Sequence, residues 1–524
     1  MSASISFLQR TVARREEPHS MESLFVNADI TTLDPAHPAA RSLLVRDGRI
    51  ERVLDQTAIG LGSQVRVVDC QGGWLVPGFH DCHVHLTATG LLAGEHDLSA
   101  FRDLDSLLKR VGKLAREESA VYAGNFQEFE LLEQRAPTRQ ELDAVAPRTP
   151  VLITRIDGHS CIVNGAAFDA LGLDRAASGI ETDDAGIFTG RLTGADNYGA
   201  QVEFLRRLPQ RMLRRADRAA ASMALAAGIT TLHNVIEGDA SYEELAEIYI
   251  DNSVLALHVI PKSCTMNVAK VKRLGGRLFG GDIFVDGSIG SRTASVQQPY
   301  VDRGGNGLLY LRRDQLAELF SEAAEAELSL GVHAIGDNAI EETIAAWETV
   351  AKKRGSLDGL RPSIDHFEIA RPDHIARAAR LGLLLSMQPA FDHLWGGSHG
   401  MYEDRLGKER SQTMNALATA RRSGCLVCGG SDSPVTALSA LLGIQSAVSH
   451  HVESERLSLD QALKSYTCDA AMLSFNEQRN GRLSEGMAAD FTVLEKRLDA
   501  VAPHEIRNVK VLMTVVDGEV HYAC

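Results

Sequence analysis

The stretch "WLVPGFHDCHVHL", Trp74 to Leu86, runs from an apolar segment into three histidines and an aspartate. Side chains alternate faces along a strand, so His83 and His85 share one face with Asp81, while His80 points to the other. The run therefore reads as a strand that delivers an imidazole pair at its C-terminal end. Two imidazoles so placed can grip one metal ion. Taken alone, the same stretch also reads as a pair of packed or surface histidines.

Short apolar runs recur downstream, at residues 228–235, 254–260, 282–288, 328–337, 361–370, 382–390 and 424–435. Between most of them lie amphipathic stretches such as "RDQLAELFSEAAEAEL" (313–328) and "NAIEETIAAWETVAKK" (338–353). Strand and helix in alternation predict parallel βαβ units. With 74–85 the strands number eight, the count of an α/β (β/α)8 TIM barrel, whose active site lies at the C-terminal strand ends. The expected barrel covers residues 75–479. The gap 86–227 is too long for one connection and predicts a lid or substrate-enclosing subdomain inserted after the first strand. Both chain ends, 23–74 and 480–524, are rich in β-branched runs with Asp-Gly and Gly-Gly punctuation, which predicts one small β domain built from the two termini. Residues 1–22 have no apolar h-region. They read as a disordered extension, with Met21 the possible start of the folded part, in preference to an organelle presequence, against which Glu16 and Glu17 argue.

Composition narrows the function classes. The chain has 524 residues and a formal net charge of −15, which disfavours nucleic acid, since phosphate binding needs a basic face. Its eight cysteines are too few for a disulfide framework in so long a chain, and a reducing, cytoplasmic setting is expected. No apolar run approaches the roughly 20 residues of a membrane span. An aromatic share of 5 % gives no stacking signature for a ring-bearing ligand.

The other strand ends carry ligand-capable residues. His333 ends "GVHAIGD", His366 ends "SIDHFE" and Asp432 ends "CGGSDSPV". Four histidines and an aspartate at four strand ends point to a metal site. A bound divalent ion lowers the pKa of water from 15.7 towards about 7, and Asp432 would take that proton and return it to the leaving group. The expected reaction is hydrolysis of an amide or related C–N bond of a small molecule. Ester hydrolysis, decarboxylation or isomerisation on the same fold, and a catalytically silent metal-binding protein, stand as alternatives. Retention of Asp432 argues against the silent one. Imidazole and carboxylate donors suit Zn2+, with Mn2+, Fe2+ or Co2+ also possible.

"PGFHDCHVHL", "HAIGD", "DHFEIA" and "GGSDSPV" resemble the metal-dependent amidohydrolase superfamily, in barrel order. "VDGSIGSRTASVQQPY", "ITRIDGHSCIVNGAAFDALGL", "GIFTGRLTGAD" and "GMAADFTVLE" resemble more narrowly its YtcJ-like amidohydrolase family 3 branch, which includes N-substituted formamide deformylases. The resemblance implies that His83, His85, His333 and His366 are metal ligands and that Asp432 is both ligand and general acid/base. It implies a β-sandwich for the terminal domain and a homodimer. One position departs from the pattern: relatives read Lys-x-x-x-Asp-Gly-Ser on the fourth strand, where a carbamylated lysine bridges two metals, and here Asp282 stands in that place. Asp282 can ligate directly, which leaves one or two metals per chain; Lys262 is a weaker candidate bridge.

Weaker candidates remain. His159, Gln388 and His393 are candidate substrate contacts, each weighed against a structural role. Asp286 either fixes a turn or touches substrate. Asp337 either orients His333 or caps the following helix, with the cap favoured. Cys425 and Cys428 face opposite ways along a strand and read as apolar packing. His450 and His451 fall in an expected helix, where neighbouring residues do not face together, and read as non-catalytic.

Overall fold

The protein structure, a computed structural model, describes residues 22–56, 65–236 and 255–524. The expected N-terminal extension lies outside these residues except for Glu22, which opens a strand.

Eight strands run parallel: Phe79–Val84, Ile229–Ile236, His258–Ser263, Leu278–Phe284, Ser329–Ala334, Ser363–His366, Leu384–Met387 and Leu426–Gly429. The first three pair in one sheet and the other five in a second, every pairing parallel. Most are buried along their whole length, as strands covered on both faces must be. The segment after the eighth strand reaches the first: the Asp432 amide donates to the His83 carbonyl at 2.7 Å and the His85 amide to the Ser433 carbonyl at 2.9 Å. Gly430 makes this approach possible, since a Cβ there would sit 2.8 Å from the His83 nitrogen. The helices Arg313–Glu325 and Asp337–Arg354 pack outside, with Phe320 stacked on Trp347 at 4.2 Å, in one apolar core with Leu330, Val332 and Ile364. The result is an α/β, TIM-barrel-like fold.

Three strand boundaries differ from the sequence reading. The run expected at 74–85 is two strands. Trp74–Pro77 turns away and pairs with Asp29–Thr31 and Phe491–Leu494. Gly78 allows the break, because its Cβ would meet the Thr230 hydroxyl at 2.3 Å. The third strand starts later, at His258, and runs on through Lys262. The fourth starts earlier, at Leu278, so Asp282 lies well inside it. Gly280 and Gly281 there are a bulge with φ of 85° and 99°; a Cβ on Gly280 would sit 2.1 Å from the Gly331 carbonyl oxygen, the close approach that a glycine within a strand marks.

Strands from both chain ends form a six-stranded sheet in which Trp74–Pro77 and Phe491–Leu494 are central. It shares an apolar core with a four-stranded sheet holding Glu22–Val26 and Ser42–Arg46, and Phe25 meets Phe491 edge-on at 4.7 Å. Within 86–227 a separate five-stranded sheet contains Val121–Phe126, Val151–Arg155, Ser160–Val163 and Phe188–Thr193, with apolar clusters of its own. Among the described residues, no helix is long and apolar enough to cross a membrane.

Candidate metal centre

The five ligand candidates at the strand ends, with Asp282, come together. Asp282 and Asp432 reach in from the fourth strand and from beyond the eighth. Nε2 of His83 stands 3.4 Å from a carboxylate oxygen of each. Nε2 of His85 stands 3.2 Å from Asp282 and 3.1 Å from Asp432, and Nε2 of His366 stands 3.8 Å from Asp282. Two donor triads, His83/His366/Asp432 and His83/His85/Asp282, each have their ligand atoms within 4.8 Å of one another. The His333 ring lies 4.5 Å from that of His366, with both nitrogens buried and lacking hydrogen-bond partners among the described residues.

These separations fit a cation. Zinc bonds to imidazole nitrogen and carboxylate oxygen are about 2.0–2.2 Å, so neighbouring donors on a tetrahedral ion stand about 3.4 Å apart. Buried nitrogen and carboxylate donors held near that spacing are what ligands around a shared ion require. The backbone supports the same reading. His366 and Asp432 both adopt left-handed φ, 74° and 55°, a conformation that costs a non-glycine residue on the order of 1–3 kcal/mol and that functional sites retain.

Behind the donors, other side chains set orientation. Nδ1 of His83 meets Asp365 at 2.8 Å, and the same Asp365 oxygen accepts from Lys262 Nζ at 2.8 Å. Lys262 is fully buried and bound to Asp365. Burial pushes the Asp365 carboxyl up, but Lys262 and His83 hold it well below the usual carboxylate range. Nδ1 of His366 donates to Gln388 Oε1 at 2.8 Å, which leaves Nε2 to face the centre. Asp286 accepts three backbone amides, from Ser295, Ile335 and Gly336, at 2.7–2.9 Å and approaches His333 Nδ1 at 3.6 Å. It ties the loop after the fourth parallel strand to the segment that follows the fifth, while burial raises its pKa to about 7.

The centre opens into a cavity of about 650 Å³ lined by His85, His159, Asp282, His333, His366 and Asp432 among others. His159 comes from the inserted sheet region. Its ring lies 5.5 Å from that of His333, Nδ1 meets the Tyr198 hydroxyl, and burial lowers its pKa to about 4. The other two candidate substrate contacts are elsewhere. Gln388 is the buried partner of His366 and is absent from the cavity wall. His393 is exposed and faces Arg507 at 3.2 Å. Asp337 neither orients His333 nor caps its helix. Gly336 holds the cap position, and the Asp337 carboxylate takes the Gln297 amide.

Several wall residues carried no sequence signal. Glu368, two residues beyond His366, is buried, accepts the Tyr402 hydroxyl at 2.5 Å, and is raised by burial to about 7. Tyr122, Tyr198, Phe284, Phe391, Trp395 and Tyr402 also line the cavity, so a chain poor in aromatics concentrates them here. Tyr198 stacks on Phe284 at 4.1 Å. His450 and His451 follow the helix Ala440–Val448 and are not part of it. Contrary to expectation their rings stack, at 5.1 Å, and both face Asp392. The Val452 amide donates to Nδ1 of His450, so its proton sits on Nε2 and the group is a buried carboxylate surrounded by donors. Cys425 and Cys428 are buried, as expected, and turn to different carbonyls, Ile375 and Asp469.

The sequence profile of the amidohydrolase family matches residues 66–522. A curated Bacillus subtilis (strain 168) protein, "Putative amidohydrolase YtcJ", is 33 % identical over 491 residues, covering 87 % of this chain and 90 % of that protein. The N-substituted formamide deformylase of Arthrobacter pascens is 25 % identical, covering 95 % of this chain and 98 % of its own length. Among solved structures, an uncharacterized metal-dependent hydrolase from Pyrococcus furiosus superposes with a TM-score of 0.73 at 24 % identity, over 91 % of this chain and 99 % of that one; this is a likeness of fold.

Proposed function

The chain belongs to the amidohydrolase family and is an enzyme of that family, and from that premise we propose that it hydrolyses a non-peptide amide or related C–N bond of a small molecule with a bulky apolar group. The observation that carries the reading is the convergence of His83, His85, His366, Asp282 and Asp432 at 3.1–3.8 Å on the floor of an aromatic-walled cavity. These residues, with His333 beside them, would hold one divalent ion, taken as Zn2+ from the donor types. Bound there, the ion supplies a Lewis acid that polarises a carbonyl and makes water acidic near neutral pH.

The chain's own groups do the rest. Asp432 takes a proton from the attacking water and hands it to the leaving nitrogen. His159 is held by Tyr198 at Nδ1 and turns Nε2 towards the substrate, where a hydrogen bond to the carbonyl oxygen stabilises the charge that develops. Phe284, Phe391 and Trp395 exclude water and receive the apolar group. The same reading takes the eight parallel strands as a closed barrel, the region 86–227 as the part that encloses substrate, and the two terminal sheets as one β-sandwich.

The test is elemental analysis of protein purified without added metal or chelator, combined with a panel of small amides that begins with N-substituted formamides. The expected result is about one zinc per chain, with Asp432→Asn keeping the metal and losing at least about 100-fold in turnover. Metal-free protein that neither zinc nor manganese activates, or an Asp432→Asn enzyme of normal rate, would sink the mechanism.

A further inference from the structure

We propose that a second cavity beside the catalytic pocket is a binding site for a small oxyanion, the phosphate or carboxylate group of a metabolite. The cavity measures about 610 Å³. It shares Phe129, Arg155 and Gly290 with the catalytic pocket, and so lies against the wall that carries His159. Six arginines line it, Arg135, Arg155, Arg191, Arg292, Arg303 and Arg405, in a chain whose net charge is −15. They come from separate places: the inserted sheet and its loops, the loop after the fourth parallel strand, and the short helix Met401–Leu406.

Charge accounting identifies where an anion is wanted. Arg135 is neutralised by Glu141 in a two-pronged contact at 2.9 and 2.7 Å. Arg155 lies between Glu128 and Asp157 at 2.9 and 2.8 Å, and Arg191 faces Glu181 at 3.5 Å. The acidic residues of the wall, Glu128 and Glu181, are thus already engaged. Two of the remaining three guanidiniums share one carboxylate. Asp302 receives Arg292, with Nε at 3.1 and 3.0 Å from its two oxygens, and also Arg405. Arg303 is exposed; no hydrogen bond or ion pair joins it to the described residues. Among the described residues, Nε of Arg405 is buried without a hydrogen-bond partner. Burial first, and then the neighbouring Arg292, hold the Arg405 guanidinium below the ordinary arginine value. An oxyanion between Arg303 and Arg405 would supply counter-charge and match the planar guanidinium fork.

The experiment is calorimetric titration of the metal-loaded full chain with inorganic phosphate and, separately, with succinate, at constant ionic strength against sodium chloride. Saturable binding of at least one anion is expected, and which of the two binds separates a phosphate from a carboxylate ligand. Arg303→Glu, at an exposed position where folding is not at stake, and Arg405→Gln should each raise Kd about tenfold or more, the scale of one lost charge-assisted contact. No saturable heat from either anion overturns the proposal. So does saturable binding that both substitutions leave unchanged, since the anion would then sit elsewhere, as at the metal centre.

Discussion

Lys262 and Asp365 make a sharp test of how the centre is supported. The lysine is fully buried, its Nζ 2.8 Å from Asp365 Oδ1, and the same oxygen meets His83 Nδ1 at 2.8 Å. Replacing Asp365 by Asn leaves an ammonium in the interior without its counter-charge. Breaking a buried pair in this way costs about 3–5 kcal/mol. Lys262→Met strands the Asp365 carboxylate with only His83 and should cost a similar amount. The double variant Lys262→Met/Asp365→Asn removes both charges, while the Asn oxygen can still accept from His83. It should therefore lose much less than the sum of the single losses, with a coupling energy of about 2 kcal/mol or more. Urea unfolding of the metal-loaded proteins, followed by tryptophan fluorescence, reads this out; Trp347 is buried in the core beside the parallel strands. Single losses that add to the double's within about 0.5 kcal/mol would refute the reasoning, because the two charges would then not be stabilising one another.

Two further predictions follow from the same geometry. Gln388→Ala removes the acceptor that fixes the His366 tautomer and should weaken metal binding about 10–100-fold, measured by competition with a chromophoric chelator; unchanged affinity would mean that Gln388 does not orient the ligand. Burial raises Asp217 to about 6 from 3.8, so the fold favours its protonated form, and its ionisation lowers stability progressively as pH rises from about 4 to about 6, after which the penalty is constant. Asp217→Asn keeps an oxygen for the Thr87 hydroxyl, now 2.7 Å from Asp217, and its stability advantage over the parent should grow by about 1 kcal/mol between pH 5 and pH 7.5. A difference that does not vary with pH would show that Asp217 is not the group responsible.

The parts of this protein that could be read one residue after another are those ruled by local physics. Strand alternation puts His83 and His85 on one face whatever surrounds them, and a β-branched run closed by a ligand-capable residue marks a strand end at His333, His366 and Asp432. Those local rules give the parallel strands and put the ligand candidates at their C-terminal ends. The boundaries that went astray depend on a partner. Gly280 and Gly281 are a bulge inside the fourth strand, where Gly331 of the next strand presses against Gly280 and Lys262 against Gly281. Trp74–Pro77 looks continuous with the strand that follows, yet its partners come from distant ends of the chain.

Side-chain roles beyond the ligands behaved in the same way. Gln388 and His393 lie five residues apart, and Gln388 turns inward because Pro389 opens a helix directly after it, while that helix carries His393 out towards Arg507. Sequence by itself determined which residue types stand at the strand ends, and hence the ion chemistry they suit. Only the tertiary structure decided that Lys262 belongs to Asp365, that scattered aromatics share one wall, and that Arg292 and Arg405 compete for a single carboxylate. Those outcomes depend on distances between segments remote in the chain, and no local preference encodes such a distance.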